Sequence, residues 1–182
     1  ILLGAFIIGV ALGSLLCNRL SRGVIEPGIV PLGAIGLSIF AFDLSFASIA
    51  YQETHGSLSA VMPMQFLGLD GGPHILIDLV LIGMFGGFFI VPLNSMVQQR
   101  TAANNRARVL SVNAIMNAAY MVGGSLLGIF FLSILGWSIM SFFITVAVMN
   151  VLVVGIIFVR IPEFFSRFKL WSFSRFKLLS NR

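Results

Sequence analysis

Residues 74–108 read HILIDLVLIGMFGGFFIVPLNSMVQQRTAANNRAR, an apolar run of 24 residues from His74 to Val97 followed by a polar loop with three arginines. A helix over that run would be about 36 Å long at 1.5 Å per residue, enough to cross a hydrocarbon core of roughly 30 Å. Working outward, four further runs have the same character: Ile1 to Cys17, Gly28 to Ile49, Val109 to Leu132 and Ser138 to Val159. The sequence therefore predicts an all-α membrane protein with five transmembrane helices. The whole chain agrees, with 182 residues that are 58% hydrophobic and 9% charged, and a mean hydropathy of +1.05. That composition excludes an ordinary soluble domain.

The loop at the end of the quoted stretch also sets the expected orientation. All 11 Lys and Arg residues fall in three clusters. Arg19 and Arg22 form the first, Arg100, Arg106 and Arg108 the second, and Arg160, Arg167, Lys169, Arg175, Lys177 and Arg182 the third. The loops Asn18–Pro27 and Gln98–Arg108 are basic, whereas Ala50–Pro73 and Ser133–Trp137 contain no Lys or Arg. Avoidance of apolar runs would put charges in loops, but only sidedness puts them in alternate loops. The positive-inside rule predicts that both basic loops and the C-terminus are cytoplasmic, with Ile1 on the outside. The net charge of +5 accordingly reflects topology and not nucleic-acid binding.

The chain opens on Ile1 within an apolar run, without Met, a basic leader or a small-residue cleavage site, which predicts the later part of a longer polypeptide. Residues 1–160 form the expected bundle and 161–182 a basic, aromatic tail. The tail repeats Ser-Arg-Phe-Lys-Leu at 166–170 and 174–178. Its apolar and basic residues do not separate into helical faces, so no function is assigned to it. The single cysteine, Cys17, excludes an intramolecular disulfide and a Cys-rich metal site.

Small residues at Ala5, Gly9 and Gly13, and again at Gly83 and Gly87, have the four-residue spacing that lets helices approach closely in lipid. Intramembrane carboxylates are costly and mark functional positions. Two qualify: Asp43, about 9 Å from the outer end of the second run at 1.5 Å per residue, and Asp78 in the expected first turn of the third. Asn113, Asn117, Tyr120 and Gly124 are spaced by four, three and four, which places them on one face of the fourth helix. Such a stripe turns to a wet cavity or to another helix, not to lipid. On the face shared by Gly83, Gly87 and Asn94 of the third helix, the glycine pair is expected to pack, and Asn94, near the cytoplasmic end, to be hydrated. His55 and His74 lack metal-ligand spacing, and no phosphate loop or nucleophile elbow occurs, so no metal, cofactor or enzyme activity is expected.

The segment Ser14-Leu15-Leu16-Cys17-Asn18-Arg19-Leu20-Ser21-Arg22 resembles the loop motif of the major facilitator superfamily, Gly-x-Leu-Ala-Asp-Arg-x-Gly-Arg. Leu16, Arg19 and Arg22 match it; Ser14, Asn18 and Ser21 replace Gly, Asp and Gly. Residues 83–93 (GMFGGFFIVPL) and 106–118 (RARVLSVNAIMNA) resemble bacterial lysophospholipid transporters, including forms fused to an acyltransferase and an acyl-carrier-protein synthetase. The resemblance reaches to about Phe168 and implies that the five spans are helices eight to twelve of a major facilitator fold in a bacterial inner membrane. It further implies movement of a lysophospholipid, especially lysophosphatidylethanolamine, from the outer to the inner leaflet for reacylation. An N-terminal half would be the partner in alternating access, and an acyltransferase the consumer of the product. Asp43, Asp78, Asn113, Asn117 and Tyr120 are then the expected substrate-pathway residues. Two other expectations remain open: exchange of a small amphipathic solute with protons, and a non-transporting membrane fragment or anchor.

Overall fold

The structure is a computed structural model that describes residues 1–21, 28–55 and 63–160. Its elements are α1 (Leu2–Ser21), α2 (Ile29–His55), α3 (Pro63–Gly68), α4 (Gly72–Arg100), α5 (Arg106–Ile129) and α6 (Ile139–Arg160), with one π-helical turn, Phe130–Ile134, continuing α5. Five of these stretches are long and apolar enough to span a bilayer, as expected: Leu2–Ser21, Ile29–Thr54, Gly72–Arg100, Arg106–Ile134 and Ile139–Ile157. The chain is thus a multi-pass, all-α membrane protein. Arg22 of the first basic cluster and the tail 161–182 lie outside the described residues.

The centre of the bundle is α4. Against it α1 runs parallel, with Gly9 beside Val80 and Gly13 beside Met84, while Gly83 and Gly87 meet the backbone of Phe6, Val10, Gly13 and Ser14. Both small-residue repeats thus pack on one another. A hydrogen on each of Gly9 and Gly13 points at the carbonyl of Val80 or Met84, the Cα–H···O arrangement of close helix pairs. Any side chain there would hold the helices apart. Without a hydrophobic drive between helices in lipid, this closeness supplies the dispersion contacts that bind them.

On its other flank α4 packs antiparallel to α2. Gly33 lies against the backbone of Phe85, Phe88 and Phe89, and Phe40 stacks on Phe85 with ring centroids 5.4 Å apart. Nearer the other end, Leu44, Tyr51 and Ile75 form a buried cluster. Next, α6 joins α2, where Asn150 donates to Ser38 Oγ over 2.9 Å. Only α5 stands apart: none of its residues is buried. It reaches α6 through its π-helical end, where Phe131 meets Trp137 and Phe142 at centroid distances of 4.7 and 6.4 Å. The Ser138 hydroxyl, which accepts the Ser141 N–H at 3.1 Å, caps the start of α6.

Several helix ends differ from the sequence expectation by a few residues, and two of them have a visible physical cause. The second helix was expected to stop at Ile49 but continues to His55, because Tyr51 (4% exposed) is covered by Phe66 of α3, and this burial carries the polar sequence that follows. The third starts at Gly72, two residues before His74, because Gly71 adopts φ 90°, a left-handed turn that suits glycine. The loop expected over Ala50–Pro73 therefore contains the end of α2, all of α3 and the start of α4.

Parallel packing of α1 and α4 places Arg19 and Arg100 at the same end of the bundle, with Arg106 just across a short turn. The charge asymmetry is therefore spatial as well as sequential.

Candidate functional sites

Polar side chains gather at two places along α4. Towards its C-terminal end, a cleft of about 610 Å³ separates α4 from α5. Ile90, Leu93, Asn94 and Val97 form one wall and Asn113, Asn117, Tyr120 and Met121 the other. The α4 wall has offsets of three, four and seven from Ile90, and the α5 wall four, seven and eight from Asn113, so one face of each helix supplies it. The result is an apolar groove with four amide or phenol groups. Tyr120 is 70% exposed, which shows how open the groove is.

The Asn113-Asn117-Tyr120 stripe therefore borders a cleft and is not sealed against another helix. Gly124, the fourth member of that stripe, is not part of the lining. Asn94 shares the face of Gly83 and Gly87 but is exposed and does not pack. Gly83 and Gly87 do pack on α1, but the register that sets Gly13 beside Gly87 brings α1 to its end at Ser21, level with Asn94. Beyond that level, on the same face of α4, Asn94 lines the cleft.

At the opposite end of α4 lies a second group. His74 Nε2 is 3.2 Å from Asp43 Oδ2 and 3.7 Å from Asp78 Oδ2. Asp78 is 1% exposed, and its Oδ2 accepts no hydrogen bond. The Asp43 and His74 side chains are about half exposed, at 48% and 55%. Neither carboxylate sits where the sequence placed it. Asp43 lies 12 residues before the end of α2 at His55, about 18 Å along the axis and not 9 Å. Asp78 lies beyond the first turn of α4, inside the bundle.

The sequence shows no metal-ligand spacing around His74, yet the structure sets its imidazole beside two carboxylates. Its spacing of four to Asp78 was a visible signal, because positions i and i+4 share a helical face. The contact with Asp43, 31 positions away, was not visible. The five expected pathway residues are thus divided: Asp43 and Asp78 stand about 24 Å along α4 from the Asn94 level, given the 16 residues between Asp78 and Asn94.

Of the loop-motif residues, Ser14 donates to the Val10 carbonyl at 2.8 Å and lies against Gly87. Asn18 and Arg19 are exposed on the last turn of α1. His55 ends α2.

No family model, curated protein or solved structure matches the chain.

Proposed function

We propose that the chain is part of a secondary transporter of the major facilitator type that moves lysophospholipid across a bacterial inner membrane, with the α4–α5 cleft on the substrate path. The observation that carries this reading is the cleft's mixed lining. Ile90, Leu93, Val97 and Met121 suit one acyl chain, while Asn94, Asn113, Asn117 and Tyr120 offer hydrogen bonds to a glycerophosphate headgroup. Its volume of about 610 Å³ falls within the roughly 300–1,000 Å³ of small-molecule sites. Arg100 and Arg106 lie at the same end of these helices, where their positive potential attracts a headgroup phosphate. By the positive-inside rule that end faces the cytoplasm. The resemblance of residues 83–93 and 106–118 to lysophospholipid transporters supports the same substrate class, and the loop motif around Arg19 supports helices eight to twelve.

The test is uptake of labelled lysophosphatidylethanolamine by cells expressing the complete gene, with and without N113L and N117L. Loss of uptake in the variants with normal membrane insertion is expected. Equal uptake by cells with and without the wild-type gene would sink the lipid reading. Proton-coupled export of another amphipathic solute under those conditions would favour its small-solute rival.

A further inference from the structure

The polar group at the far end of α4 has no part in that reading. Three donor atoms, one each from Asp43, His74 and Asp78, lie within 4.8 Å of one another. We propose that these residues form a binding site for one divalent first-row transition-metal ion, of the zinc and manganese class, which ties the start of α4 to the middle of α2.

Charge is the first argument. Two carboxylates converge next to residues of a mostly apolar cluster, Leu44, Tyr51 and Ile75, with Leu79 packed against it. A protonated His74 would balance only one of them. No Lys or Arg occurs between Arg22 and Arg100, and Arg100 is 22 residues along α4 from Asp78, about 33 Å away. The N-terminal end of α4 offers partial positive charge, but Asp78 lies beyond the first turn, where that effect falls off. A divalent cation neutralises both carboxylates and leaves the imidazole free to act as a neutral donor.

The second argument is Asp78 itself. A carboxylate oxygen that is buried without a hydrogen bond is costly. This one lies 3.7 Å from His74 Nε2, on the side where the other donors converge. Geometry is the third. Metal–ligand bonds near 2.0–2.1 Å put neighbouring donors roughly 2.8–3.0 Å apart in octahedral and roughly 3.3–3.4 Å apart in tetrahedral sites. The observed 3.2 and 3.7 Å need little closure, and the widest pair, at most 4.8 Å, requires the two helices to draw together slightly. An imidazole with two carboxylates suits zinc or manganese, whereas calcium and magnesium favour all-oxygen shells. The half-exposed Asp43 and His74 leave an entry route and room for a water ligand.

The test uses the full chain in detergent micelles, stripped with chelator. Binding of Zn²⁺ and Mn²⁺ is followed by equilibrium dialysis with elemental analysis, and by loss of the free Mn²⁺ electron-spin signal. One ion per chain is expected, with Mg²⁺ at equal concentration failing to displace it. H74A and D43N should each weaken binding by at least the roughly 10- to 100-fold that outer-shell changes cause at metal sites. Both side chains are partly exposed, so these variants keep the test valid if D78N does not fold. Zn²⁺ should also raise the unfolding midpoint of the wild-type chain and not that of H74A. No stoichiometric ion in the wild type, or unchanged affinity in H74A, would overturn the site. Loss of lipid uptake plays no part in this readout, so the transport reading and the metal site fail separately.

Discussion

Replacing Gly87 and its neighbour Gly86 by alanine, one at a time, tests the α1–α4 interface directly. A Cβ on Gly87 would lie 2.9 Å from Ser14 N and 3.0 and 3.1 Å from the C and Cα atoms of Gly13, whereas one on Gly86 would meet nothing within 4 Å. Carbon contacts are comfortable at about 3.5–4.0 Å, so α1 must retreat by roughly 0.5–1 Å to admit the methyl group at 87. The obstructing atoms are backbone and cannot rotate away. Overpacking of this kind costs about 1–3 kcal/mol. Both substitutions gain the same helix propensity, up to ~1 kcal/mol, because both sites are inside α4. The difference between them isolates the steric cost, and G87A should be about 1–3 kcal/mol less stable than G86A. The assay is SDS titration of the purified chain in mixed micelles, followed by circular dichroism. Equal stability, or a more stable G87A, would refute the close parallel packing.

Other perturbations probe different parts of the bundle. Removing the Asn150–Ser38 hydrogen bond with N150A should cost about 0.6 kcal/mol, and at most ~1.7, by comparison with polar pairs in membrane helices; a double-mutant cycle with S38A that shows no coupling would refute the contact. S138A should cost about 0.5–2 kcal/mol through loss of the α6 cap, measured in the same titration. For sidedness, cysteines at Asp70 and Asn104 in a C17A background should react differently with an impermeant thiol reagent added outside intact cells. Labelling at 70 and not at 104 is expected, and the reverse would overturn the orientation inferred from Arg19, Arg100 and Arg106.

Five spans were legible in the sequence because each must supply about 20 apolar residues from its own segment, whatever its neighbours do. The Gly9-Gly13 and Gly83-Gly87 repeats were legible as packing positions for a similar reason: a bare backbone at four-residue spacing has few other uses in lipid. Helix ends were less legible. The extension of α2 to His55 depends on Phe66 covering Tyr51, and the early start of α4 on a left-handed Gly71. These are contacts and dihedrals that hydropathy does not encode.

The candidate sites divide along the same line. Asn113, Asn117 and Tyr120 could be grouped in advance because one helix carries all three at fixed angular spacing. Which surface they face, and that Asn94 joins them, depended on how α5 sits beside α4. Likewise, sequence spacing places His74 and Asp78 on one face, but only antiparallel packing of α2 brings Asp43 within 3.2 Å of His74. Local periodicity determines what a helix offers on each face; the register between helices decides which of those offers meet.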